Sequence, residues 1–183
     1  MSGPKPWRVH RVETIQECRV FSVTRMDTRS PRTGDDHHFF GIQSTDWVNV
    51  LPMTPEGEVV LVRQYRHGSG TITLETPGGM VDPGEAPAEA AARELLEETG
   101  YQPDALIPLG HINPNPALFD NRLHGFLAKD ARRVAEVRNE STEETHVELL
   151  PWEELRAQIR AGKIDHALVA TVVYLYELWR SEG

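Results

Sequence analysis

The most constraining stretch of this chain runs from Gly79 to Gly100, where a glycine-bearing loop feeds one well-bounded helix rich in carboxylates. Pro87 suits a first helical turn, where its missing N–H is not needed; Ala88 to Glu98 are mostly strong helix formers, and Gly100 is placed to stop the helix. Glu94 and Glu98 stand one helical turn apart and project from one face, with Glu97 beside them. Carboxylates this close repel one another unless cations neutralise them. Arg93 has the spacing to pair with Glu97, and a hard divalent cation that takes oxygen ligands and keeps several waters suits the cluster. Leu95 and the alanines at 90 to 92 are expected to dock the helix on a sheet. The competing explanation of such a helix is an ordinary solvated acidic face.

With 183 residues the chain can bury one sizeable core, and its 39% hydrophobic and 26% charged residues are those of a folded globular protein. A net charge of -9 speaks against a general nucleic-acid backbone binder, though not against phosphates held through metal ions. Cys18 is the single cysteine, so neither an internal disulfide nor a cysteine-based zinc site can be built. No stretch approaches a membrane span and Met1 to Arg8 lack a signal-peptide core, which makes the cytoplasm the expected location.

Along the chain, Cys18 to Met26 and His37 to Gln43 read as strands around a loop at Ser30 to Asp36, an N-terminal antiparallel sheet over residues 1–45. Trp47 to Pro52 and Glu58 to Tyr65 flank the turn signal Pro55-Glu56-Gly57 and are expected to form a hairpin leading into the main sheet of residues 46–183. Further strands are predicted at Thr71 to Glu75, Leu106 to Ile112, Leu123 to Lys129 and Val147 to Leu150. Helices are predicted from Trp152 to Ala161 and from His166 to Arg180, the second with Asp165 as N-cap. The fold class is α/β of the α+β kind.

Gly79, five residues, Glu85, seven residues, Arg93-Glu94-Leu95, one residue, Glu97-Glu98, one residue and Gly100 make a specific pattern across a loop and a helix. This pattern resembles the box of the Nudix hydrolase family. Tyr101 is the one departure, where the box usually has an aliphatic residue, and it concerns packing. The resemblance implies a mixed β-sheet sandwiched between helices and metal-dependent cleavage of a diphosphate linked to a nucleoside. It implies Glu94 and Glu98 as the main metal ligands, Glu97 as a third, Glu85 as the loop glutamate and the Gly78 carbonyl as a backbone ligand. Arg93 resembles the arginine that holds the glutamates in place, and Mg2+ is the expected ion, with Mn2+ as a substitute.

The segments Val62-Arg63-Gln64-Tyr65-Arg66 and Leu74-Glu75-Thr76-Pro77-Gly78-Gly79, with Pro116, resemble the ADP-ribose and nucleoside-diphosphate-sugar pyrophosphatase branch. In that branch a glutamate on a late loop is the general base, and Glu140, Glu143 and Glu144 are the candidates here. Arg63 and Arg66 are candidates for the diphosphate, Trp47 and Tyr65 for stacking on the base, and Asn113 and Phe119 for the sugar or leaving phosphate. His37 and His38 alternate on a strand and read as structural. Similar enzymes are homodimers built through the N-terminal sheet, which sets the same expectation here. Two alternatives stand beside a nucleoside diphosphate sugar as substrate: a hydrolase of nucleoside triphosphates or dinucleoside polyphosphates, and a catalytically inactive binding module.

Overall fold

Val9, Val12 and Ile15 recur every third residue, a spacing that hides a strand from any reading based on alternation. The structure, a computed structural model describing residues 3–139 and 144–182, places them all on strand β1 (Arg8–Glu17). Register shifts fall between Val9 and Arg11 and between Thr14 and Gln16. Such irregularities reset the side-chain phase. β1 pairs antiparallel with β2 (Ser22–Arg29), and β2 with β3 (Asp36–Gln43). The strand expected at Cys18 therefore starts later, and another precedes it. The segment Asn113–Arg122 belongs to the same compact unit as Met1–Thr45. The Ile42 amide donates to the Leu118 carbonyl at 2.7 Å, and Asn121 Nδ2 donates to the Thr45 carbonyl at 3.0 Å.

The second unit comprises Asp46–Ile112 and Leu123–Gly183. Its elements are β4 (Trp47–Pro52), β5 (Glu58–Arg66), β6 (Thr71–Glu75), α1 (Pro87–Thr99), β7 (Tyr101–Gln102), β8 (Ala105–Ile112), β9 (Leu123–Lys129), β10 (Arg132–Arg133), β11 (Thr145–Pro151), α2 (Trp152–Arg160) and α3 (Ala167–Glu182). One sheet has the order β11-β5-β6 and is antiparallel throughout. Another has the order β4-β9-β8, with β4 parallel to β9 and β8 antiparallel to it. β7 and β10 form a short ribbon.

The hairpin expected of β4 and β5 does not form. Its turn does: Gly57 adopts φ 82° and donates to the Thr54 carbonyl at 3.0 Å. A single bridge, Met53 to Val59, follows before the strands part into different sheets. Val48 to Leu51 and Val59 to Val62 are buried at consecutive positions, hence on both faces. β5 accordingly lies between β11 and β6, and β4 between β9 and the segment at Pro77 to Gly79. Val50 packs with Ala90, Ala91 and Leu95 of α1, whereas its neighbour Leu51 packs with Leu155, Val169 and Val172 of α2 and α3. The mixed sheets thus lie between helical layers, as expected for this α/β fold. Ala92, expected to dock, is exposed instead.

The C-terminal end of α1 and the N-terminal end of α3 both depart from plain helix geometry. α1 stops at Gly100, whose φ of 75° and N–H to the Leu96 carbonyl (2.8 Å) make a left-handed cap. A β-carbon there would also collide with the Ala135 carbonyl, so only glycine fits. α3 begins one residue later than expected. Its first turn is capped by His166, whose Nδ1 accepts the Leu168 N–H at 3.2 Å, and not by Asp165.

Candidate active site

Pro77, Gly78 and Gly79 run beside β4 as an extended segment, because the Val50 and Val48 amides donate to the Pro77 and Gly79 carbonyls, each at 2.9 Å. Gly78 between them faces the other way. Its N–H donates to Glu98 Oε2 at 2.9 Å. A β-carbon on Gly79 would strike the Glu94 carboxylate, and one on Gly78 would strike the Val48 carbonyl. Gly78 is therefore required for the close approach to the β4 backbone, and Gly79 leaves the room that the Glu94 carboxylate occupies.

Arg93 organises the cluster by using every N–H of its guanidinium. Nε and Nη2 fork onto the two oxygens of Glu85, each at 3.0 Å. Nη1 donates to Glu94 Oε1 at 2.9 Å and Glu97 Oε2 at 3.3 Å, and Nη2 also reaches the Met80 carbonyl at 3.1 Å. Five donors meet five acceptors. The hydrogen bond to Glu85, ahead of the partial burial that opposes it, holds the Arg93 pKa well above its ordinary value. Glu85 is in turn held below the usual carboxylate range, chiefly by Arg93. The expected pairing of Arg93 with Glu97 is present, and Glu85 binds it more closely.

The oxygen-only donor set of Glu94, Glu97, Glu98 and the Gly78 carbonyl fits a hard divalent cation. Among the described residues no three acidic, histidine or cysteine side chains converge into a ready-made cage. A cation that keeps several waters and shares ligands with phosphates needs only one or two carboxylates from the protein.

Gly78 and Gly79 also line a cavity of about 310 Å³ together with Trp47, Arg66, Glu75 and His166. Glu75 is nearly fully buried and accepts a fork from Arg66 Nε and Nη2, both at 2.8 Å, plus the Thr73 hydroxyl. Burial pushes the Glu75 pKa up, but the bonds from Arg66 and Thr73 outweigh it and hold the carboxyl below its ordinary value.

Of the residues expected to meet substrate, Trp47 and Arg66 reach this cavity. Arg63, three residues from Arg66, emerges on the opposite face of β5 and pairs with Glu148 at 2.6 Å. Tyr65 is half exposed, with its ring edge-on to His67 at 5.0 Å. Asn113 and Phe119 lie in the other compact unit, where Phe119 bridges to Ile42. In that unit His37 packs against Trp7 with ring centroids 5.4 Å apart, and His38 Nδ1 meets Asp27 at 2.7 Å. Glu140 and Glu143 lie outside the described residues, and Glu144 is exposed just before β11. Glu75 and His166 were not singled out from sequence. The signal for Glu75 was an acid alternating with apolar residues on a short strand.

The sequence model of the NUDIX domain matches residues 43–171. The ADP-ribose pyrophosphatase of Bacillus subtilis (strain 168) is 36% identical over 103 residues, 56% of this chain and 55% of that protein. The ADP-sugar pyrophosphatase of Mus musculus is 34% identical over 169 residues, 88% of this chain and 74% of that protein. A crystal structure of an ADP compounds hydrolase superposes with a TM-score of 0.87 at 22% identity, covering 100% of this chain and 99% of that one, which bears on the fold alone. Matched over most of its length by the domain and over nearly all of it by the mouse relative, the chain belongs to the Nudix family and is a Nudix pyrophosphohydrolase.

Proposed function

We propose that this enzyme hydrolyses the bond between the two phosphates of a nucleoside diphosphate sugar, such as ADP-ribose or GDP-mannose, to a nucleoside monophosphate and a sugar phosphate. The observation that carries this is the Gly78-Gly79 segment. It meets Glu98 and Glu94 of α1 and also lines the cavity that holds Arg66. A diphosphate in the cavity then lies against the guanidinium and the glycine backbone that the carboxylate cluster touches. The names of the Bacillus and mouse relatives, an ADP-ribose and an ADP-sugar pyrophosphatase, support the same substrate class.

Glu94 and Glu98 would hold the divalent cation, with Glu97 and the Gly78 carbonyl as further ligands; Glu85, both of whose oxygens lie on Arg93, braces them. Mg2+, or Mn2+ in its place, supplies positive charge against the diphosphate oxygens and acidifies water. Arg66, its fork fixed by buried Glu75, binds the diphosphate, and Trp47 offers a flat face to the base. The general base is assigned to Glu140, Glu143 or Glu144. The flanks of that acidic stretch are tied to the end of α1: the Arg138 N–H donates to the Glu97 carbonyl at 2.8 Å and Thr145 Oγ1 to the Glu98 carbonyl at 3.1 Å. Asn139 Oδ1 accepts the Thr145 N–H at 3.0 Å and so clamps the two flanks together.

Trp7, Val12, Phe39 and Phe40 are exposed on the sheet of β1 to β3, which supports a homodimer built there. The same reading carries a cytoplasmic location and a small nucleotide, not nucleic acid, as partner; no helix among the described residues is long and apolar enough to cross a membrane.

The test is turnover of a panel of ADP-ribose, ADP-glucose, GDP-mannose, UDP-glucose, a nucleoside triphosphate and a dinucleoside polyphosphate, with Mg2+ and with chelator. The expected result is chelator-sensitive turnover of one or more of the sugars. Turnover confined to the triphosphate or dinucleotide would move the substrate to the first alternative, and no turnover with any divalent metal would favour the inactive binding module.

A further inference from the structure

Arg66 and Glu75 account for one wall of the cavity, but the residue facing them comes from a distant part of the chain. His166 precedes α3 and lines the cavity beside Arg66 and Glu75. Its ring is oriented from behind, since Nδ1 accepts the Leu168 N–H at 3.2 Å. A nitrogen that accepts carries no proton, so the proton sits on Nε2. Nε2 points toward Glu75 and lies 3.7 Å from Oε2, too far for a hydrogen bond. Glu75 is already engaged by the Arg66 fork and the Thr73 hydroxyl. The His166 N–H thus lines the cavity with no hydrogen-bond partner among the described residues, next to the guanidinium assigned to the diphosphate.

We propose that His166 is a substrate-binding residue whose Nε2–H donates to a phosphoryl oxygen of the diphosphate alongside Arg66. The assignment rests on the chain being a hydrolase of nucleoside diphosphate sugars. A phosphoryl oxygen is the acceptor because the ring stands beside the Arg66–Glu75 pair, where an anionic oxygen gains from both donors. A contact to phosphate is also blind to the attached sugar.

The geometry separates the two tasks of this side chain, capping and donating. Asparagine is among the best N-caps, so H166N keeps the cap of α3 while removing the ring N–H from the cavity, whereas H166A loses both. Steady-state kinetics with ADP-ribose, ADP-glucose and GDP-mannose, beside thermal unfolding, test the assignment. H166N is expected to keep the wild-type Tm and to raise KM roughly tenfold, the weight of one hydrogen bond to a charged oxygen, by a similar factor for each sugar the wild type turns over. An unchanged KM in H166N, with a defect only in H166A, would reduce His166 to a helix cap and overturn the proposal while leaving the hydrolase reading intact. A KM effect confined to one of several turned-over sugars would place the contact on a sugar hydroxyl and overturn the phosphate assignment. Failure of the wild type to turn over any of these sugars would overturn the hydrolase reading and this proposal together.

Discussion

Glu98→Gln is expected to abolish nearly all turnover, by about 10³-fold or more in kcat, which corresponds to about 4 kcal/mol of lost transition-state stabilisation. The fold should survive. The glutamine carbonyl can still accept the Gly78 N–H that Glu98 Oε2 accepts at 2.9 Å, and its size is unchanged. What disappears is the anionic charge at a buried position against the Gly78 backbone, where the cation is assigned. Circular dichroism and thermal unfolding like the wild type, with activity gone across the whole substrate panel, is the predicted pair of observations. Near-normal kcat in a folded variant would remove Glu98 from the metal site.

Arg93→Lys keeps one positive charge and tests whether charge alone is enough. Arg93 donates five hydrogen bonds to Glu85, Glu94, Glu97 and Met80; an ammonium has three donors and no planar fork. Glu94 should then lose its fixed orientation, with kcat/KM falling roughly 10–100-fold, the usual cost of removing a group that orients metal ligands. Stability should fall by about 1.5–3 kcal/mol, the weight of hydrogen bonds to charged groups. The change should also depend on pH. The lowered pKa of Glu85 means that its pairing contributes fully above the ordinary carboxylate pKa and is lost as pH falls through the lowered value. The stability difference between wild type and variant should therefore shrink as the solution is acidified below about pH 4.5, in urea unfolding followed by fluorescence. A difference independent of pH would assign the loss to packing.

The chemistry of this protein was far more legible in sequence than its strand pairing. α1 announced itself because local features agree: Pro87 at the start, strong helix formers within, Gly100 at the end. The spacing of its carboxylates is a property of one helix and needs no tertiary knowledge. Pairing of β4 with β9 joins residues far apart in sequence, and the sound turn at Gly57 suggested a hairpin that two-sided burial overrode. The signal against it was present, in apolar residues at consecutive positions from Val48 to Leu51. β1 was hidden for a different reason, since its register shifts break the alternation by which strands are found. Arg63 and Arg66 were separable by parity alone, being an odd number of residues apart on one strand. Glu75 and His166 were not, because an acid on an apolar strand and a histidine before a helix acquire meaning only when β5, β6 and α3 meet around one cavity.

Whether this chain breaks the bond between the two phosphates of a nucleoside diphosphate sugar with the carboxylates of α1 is tested most directly by hydrolysis of ADP-ribose. The reaction is run in 18O-labelled water with Mg2+, and the products are identified by mass. AMP and ribose 5-phosphate, one of them carrying a single label and neither formed with chelator or by the Glu98→Gln variant, is the predicted result. Release of ADP or inorganic phosphate, or cleavage that persists without a divalent cation, would contradict it.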